Sequence, residues 1–152
     1  MLKYIDTKVV FQEIPDEVTL AINISNCPCK CKGCHSPYLA NNEGEPLTVI
    51  DISKLIKKNK GISCICFMGG DSSSKTINSL ATWIKSNYQE LKVAWYSGRI
   101  ELSKDIKLRN FDYIKLGPYI EELGPLNSTS TNQRFYKVED NKLVDITNKF
   151  WK

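Results

Sequence analysis

The chain has 152 residues, 41% of them apolar and 25% charged, the size and balance of one globular domain with one core. Its 21 Lys and Arg against 17 Asp and Glu leave a formal charge of +4, too small and too dispersed to predict a nucleic-acid partner. No stretch approaches the ~18 uninterrupted apolar residues of a membrane span, and Met1-Leu2-Lys3-Tyr4-Ile5-Asp6 lacks the apolar core of a signal peptide. The expectation is therefore a single cytoplasmic domain over residues 1–152, with no membrane contact.

In chain order, Val18 to Ile24 alternates and ends at Ser25-Asn26, which predicts a strand delivering the chain into a cysteine-rich loop. That loop holds four of the six cysteines within eight positions, at Cys27, Cys29, Cys31 and Cys34. In a reducing compartment such bunching points to ligation rather than to disulfides. Thiolates at Cys27, Cys31 and Cys34 can hold three corners of a [4Fe–4S] cube and leave the fourth iron open. The alternative is a zinc site of all four thiolates; structural zinc usually takes two well-spaced pairs, whereas Cys29 stands one residue from either neighbour. His35, the sole histidine, directly follows Cys34.

Asn41 to Pro46 is turn-rich, and Thr48 with Asp51 resembles a capping box ahead of Val49, Ile52, Leu55 and Ile56 at helical spacing. This helix is expected to end near Gly61. Ile62 to Met68 reads as a strand buried on both faces, stopped by Gly69-Gly70-Asp71. Cys64 and Cys66 within it point to one face and are expected to be core. Serines 72 to 74 offer N-caps for a helix with the apolar stripe Ile77, Leu80, Ala81, Ile84 and Tyr88. Then follow a strand at Lys92 to Tyr96 closed by Ser97-Gly98, a short helix at Glu101 to Leu108, and a strand at Tyr113 to Leu116 closed by Gly117-Pro118. Alternation of this kind implies an α/β fold with a parallel sheet. Ligands of such sheets bind where the strands' C-terminal ends converge, so Cys27, Gly70, Ser97 and Gly117 are expected to share one mouth. Glycines there let a ligand approach the backbone, and the Asp71 carboxylate and nearby carbonyls can receive an ammonium group.

The cysteine spacing followed by Gly69-Gly70-Asp71 resembles the radical S-adenosylmethionine superfamily. The glycine before the last cysteine, Gly33, together with Trp95-Tyr96-Ser97-Gly98 and Asn132-Gln133, is similar to its branch of activating proteins for the anaerobic ribonucleoside-triphosphate reductase. The likeness runs from Tyr4 to Arg134. The chain departs from that branch at Ile14-Pro15-Asp16-Glu17, Ser72, Leu116 and Ser128-Thr129. The resemblance implies a small open, partial α/β barrel with a mostly parallel sheet. It implies a [4Fe–4S] cluster on Cys27, Cys31 and Cys34, with S-adenosylmethionine chelated at the fourth iron. Gly33, His35, Gly69, Gly70, Asp71 and Ser97 are the implied cofactor contacts, with no catalytic residue beyond the cluster ligands. The implied reaction is reductive cleavage to methionine and a 5′-deoxyadenosyl radical, which takes a hydrogen atom from one glycine of the reductase. The implied partners are that reductase and an electron donor such as flavodoxin. Competing readings are a small-molecule radical enzyme, such as the ring-contracting synthase of deazapurine biosynthesis, and a non-catalytic zinc or electron-transfer module.

Overall fold

A computed structural model describes residues 2–25 and 44–151. Among them the apolar run after Gly61 forms β4 (Cys64–Met68), paired with a strand on each edge and buried on both faces, Ile65 and Phe67 in one core and Cys64 and Cys66 in the other. Its parallel neighbours are β2 (Thr19–Ile24) and β5 (Lys92–Tyr96), and β6 (Tyr113–Leu116) continues the parallel series beyond β5. β1 (Lys3–Val10) and the two-residue β3 (Glu45–Pro46) extend the sheet antiparallel on one side, β7 (Arg134–Glu139) and β8 (Lys142–Asp145) on the other. The order is β3-β1-β2-β4-β5-β6-β7-β8. The sheet is thus mixed, with a parallel centre and antiparallel flanks.

Helix α1 (Val49–Lys58) starts as its residues dictate. The Thr48 hydroxyl accepts from the Asp51 N–H at 3.3 Å, and the Asp51 carboxylate accepts from the Thr48 N–H at 3.0 Å. Such reciprocal caps stabilise a helix start by about 1 kcal/mol. Helix α2 (Ser74–Asn87) buries Ile77, Leu80, Ala81 and Ile84. Ser73 takes the N-cap position within the expected serines but makes no side-chain capping bond: Asp71–Ser73 forms a 3-10 turn, and the Ser73 hydroxyl pairs with Thr76 at 2.7 Å.

Both helices pack on one face of the sheet, against Leu20, Ile22, Ile24, Ile65, Phe67, Val93, Trp95, Ile114 and Leu116. Truncating a fully buried aromatic there, such as Phe67, would cost about 3–5 kcal/mol. The opposite face carries a smaller core of Ile14, Cys64, Cys66, Ala94, Tyr113, Leu126 and Phe135. Cys64 and Cys66 are free, buried thiols. Burial pushes Cys64 up to about 12 and Cys66 well above the ordinary thiol value, so both remain protonated spectators.

Two regions differ from the sequence reading. Glu101 to Leu108 is not helical; a 3-10 turn at Leu108–Asn110 is the only helical structure described between β5 and β6. The Ser103 hydroxyl accepts from the Asp105 N–H at 3.2 Å and pairs with Ser74 at 2.7 Å. The Asn78 side chain of α2 accepts from the Lys107 N–H at 2.8 Å and from Asn110 at 3.2 Å. These bonds capture donors that a helix would need. The second difference is the β7–β8 hairpin, whose turn residues Asp140 and Asn141 both take positive φ, 48° and 60°. That pair suits a two-residue turn matched to strand twist.

Candidate functional site

The C-terminal ends of β4, β5 and β6 each break into a glycine turn: Gly69-Gly70, Ser97-Gly98 and Gly117-Pro118. Gly69 and Gly70 have φ of 107° and 91°, values that side chains resist. A Cβ at Gly69 would lie 3.3 Å from the Ile24 carbonyl oxygen, and one at Gly70 would lie 2.6 Å from Ile77 Cδ1. The turn therefore sits against the last residue of β2, the strand whose next residues lead to Cys27. Hydrogen bonds join the three turns: Gly69 N–H to the Tyr96 carbonyl at 3.0 Å, Ser97 N–H to the Lys115 carbonyl at 2.9 Å, and Gly117 N–H to the Arg99 carbonyl at 2.7 Å.

The predicted contacts Gly69, Gly70, Asp71 and Ser97 lie together on this rim, with polar groups that are already engaged. The Gly69 carbonyl accepts from the Trp95 indole N–H at 2.6 Å. Asp71 accepts the Ser97 hydroxyl on Oδ1 at 2.5 Å and the Gly98 N–H on Oδ2 at 2.8 Å. Ser97 is fully buried, and its Oγ also accepts from the Arg99 N–H at 3.1 Å. It is a link between turns rather than an exposed contact. Cys27, Cys29, Cys31, Cys34, Gly33 and His35 lie outside the described residues. Among the described residues, no group of three His, Cys, Asp or Glu is placed to hold a metal ion.

Sequence reasoning missed the residues that the register brings to the same rim. Asn23, Met68, Tyr96, Lys115 and Phe135 are successive partners across five strands and share the face opposite the helices. The Asn23 amide donates to Asp6 at 2.6 Å, and the Tyr96 hydroxyl donates to the Glu13 carbonyl. Lys115 is buried, and its ammonium donates to the carbonyls of Ser97 at 2.9 Å and Gly117 at 3.0 Å. A lone cation inside the apolar run Tyr113-Ile114-Lys115-Leu116 was the available signal. On the helix face, a cleft of about 480 Å³ opens among Asp71, Ser74, Trp95 and Arg99. A smaller one of about 230 Å³ opens among Leu116, Asn132, Arg134 and Tyr136; Ile100 borders both.

A rim of glycine turns at the ends of parallel strands is the class of site in which α/β proteins receive ligands. The family described as a 4Fe-4S single cluster domain matches residues 18–136, and the chain belongs to it. Iron–sulfur binding follows for this protein, and with it a redox role is consistent. No curated protein and no solved structure matches the chain. No helix among the described residues is long and apolar enough to cross a membrane.

Proposed function

We propose that this protein is a radical S-adenosylmethionine enzyme that activates the anaerobic ribonucleoside-triphosphate reductase by abstracting a hydrogen atom from one of its glycines. The observation that carries the reading is the Gly69-Gly70 turn, free of side chains and set against the end of β2, the strand that leads into Cys27, Cys31 and Cys34. The donor set fits a [4Fe–4S] cluster chemically, since three thiolates suit iron–sulfur ligation and leave one iron open. Of the described residues, the part that would meet S-adenosylmethionine is the Gly69-Gly70-Asp71 turn, whose half-buried Gly69 follows β4 and whose Asp71 carboxylate lies two residues on. The fold class proposed here is a small, partial α/β barrel; its support is the parallel centre β2-β4-β5-β6 of an otherwise antiparallel sheet.

In this reading Cys27, Cys31 and Cys34 hold the cluster, and Gly33, His35, Gly69, Gly70 and Asp71 line the cofactor. When bound, the cluster and S-adenosylmethionine supply one-electron cleavage of the sulfonium C–S bond and hydrogen-atom abstraction from a glycine Cα, with an electron from a donor such as flavodoxin. The chain's own residues orient and shield. Asp71 ties the turn after β4 to Ser97 and Gly98, and Gly70, with no side chain, lets the turn seat closely on Ile77 of α2. A substrate glycine on another protein needs an accessible mouth, and exposed Ile100 beside the clefts leaves the rim open to one. No group is required as a general base, since a hydrogen atom moves rather than a proton.

The test is anaerobic reconstitution followed by iron, sulfide and zinc analysis. Reduced protein, S-adenosylmethionine and the candidate reductase are then mixed and examined by electron paramagnetic resonance. Iron and sulfide in equal amounts, methionine release and a glycyl doublet on the reductase are expected. Zinc without sulfide, or a cluster that leaves S-adenosylmethionine intact, defeats the proposal.

A further inference from the structure

Lysine is among the residues least often buried, because taking an ammonium out of water is costly. Lys115 is nevertheless only 8% exposed, on a strand whose neighbours Ile114 and Leu116 are core. It faces away from the helices, in the row that runs through Met68 and Tyr96. Its ammonium lies 5.5 Å from the Tyr96 ring centroid and clasps the carbonyls of Ser97 and Gly117, which open the turns after β5 and β6. The side-chain end of Ser97 is held by Asp71, from the turn after β4. One chain of polar contacts, ammonium to Ser97 to carboxylate, therefore joins three turns. An apolar side chain at 115 would fit the strand without the desolvation cost. Charge at this position makes sense where the turns must keep one geometry against the pull of a ligand.

We propose that Lys115 is a positioning residue for S-adenosylmethionine: it acts through Ser97 on Asp71 and holds the three turns in the arrangement that receives the cofactor. The inference rests on the function proposed above and deepens it. Ser97 is the middle of the device, and substitutions along it act as one unit rather than independently.

The experiment measures equilibrium binding of S-adenosylmethionine to the anaerobically reconstituted full chain as wild type, Lys115→Met, Ser97→Ala and the double variant. Iron content and melting temperature are recorded alongside. Each single variant is expected to weaken binding about tenfold at unchanged iron content, and the double variant by about the same tenfold, where independent sites would give about a hundredfold. Affinity losses are expected not to follow the melting temperatures, as they would if the residues served stability alone. Should Lys115→Met fail to fold, Lys115→Leu removes the same donors with a shorter apolar side chain and is read the same way. Undiminished affinity in the Lys115 variant, or a multiplicative loss in the double variant, overturns the inference while wild-type binding leaves the proposed function standing. Wild-type protein that binds no S-adenosylmethionine removes both.

Discussion

At the N-terminal ends of the parallel strands, Ser63, Lys92 and Tyr113 converge on the carboxylate of Glu17 at 2.8, 2.8 and 3.1 Å. At the C-terminal ends of the same strands, the contacts run instead through glycine turns, backbone carbonyls, Asp71 and one buried ammonium. The first end is a closed clamp in which side chains satisfy one another. The second keeps two clefts beside it, and the exposed Ile100, Ile120 and Leu123 lie in the loops that follow β5 and β6. The contrast separates two jobs: one end secures the sheet, and the other is the end proposed to receive a ligand. Charge follows the same division. Burial pushes the Glu17 carboxyl up, but hydrogen bonds from Lys92, Ser63 and Tyr113 outweigh it and hold the group below its usual range.

The most drastic way to break the contrast is to remove the thiols proposed to serve the C-terminal end. Cys27→Ala, Cys31→Ala or Cys34→Ala is expected to abolish iron retention and cleavage of S-adenosylmethionine, both measured after anaerobic reconstitution. Cys64→Ala and Cys66→Ala, set in the core with protonated thiols, are expected to retain both. Full cleavage by the Cys31 variant contradicts the ligand assignment.

Next in size is Gly70→Ala. Its φ of 91° and the contact a Cβ would make with Ile77 are expected to cost about 3 kcal/mol in chemical denaturation, as strain plus overpacking. Gly61→Ala shares a positive φ but meets nothing within 4 Å, so about 1 kcal/mol is expected there. Equal losses at the two positions would mean that crowding at the glycine turn is unimportant.

The clamp end is sharpened by pH. A carboxyl held low when folded stabilises the protein above its unfolded value, about 4.3, and that contribution is lost as pH falls through the folded value. Lys92 is raised chiefly by its hydrogen bond to Glu17, so its share is present below about 10.4 and lost as pH rises through its folded value. Glu17→Gln is expected to cost about 1–3 kcal/mol at pH 7 and to flatten the acid limb of a melting-temperature profile. An unchanged acid limb would remove Glu17 as its source. Smallest of all is Arg134→Ala, whose half-exposed ion pair with Asp145 spans 3.9 Å; a stability change under about 0.5 kcal/mol is expected by the same denaturation assay.

Much of the fold was legible because single periods governed it. The buried run of β4, the stripe of α2 and the Thr48–Asp51 cap are local patterns, and each appears where the spacing placed it. Glu101 to Leu108 misled because the Lys107 N–H is taken by Asn78, 29 residues away, a partner that no local pattern announces, while Ser103 takes the Asp105 N–H within the segment. β1 is hidden by imperfect alternation, while the Asp140-Asn141 turn carries a local hairpin signal in its own residues. On the rim, the glycine turn, Asp71 and Ser97 were legible in the sequence as candidate contacts. Their engagement with one another was not, nor was Lys115.

By itself the sequence determined the thiol spacing, the strand and helix periods and the glycine turn, because each depends on residues a few positions apart. Only the tertiary structure decided that Asp71 closes on Ser97, 26 residues away, that Trp95 occupies the Gly69 carbonyl, and that Lys115 turns from the helices toward the rim. Those outcomes depend on sheet register, which aligns distant strands and sends alternate side chains to opposite faces.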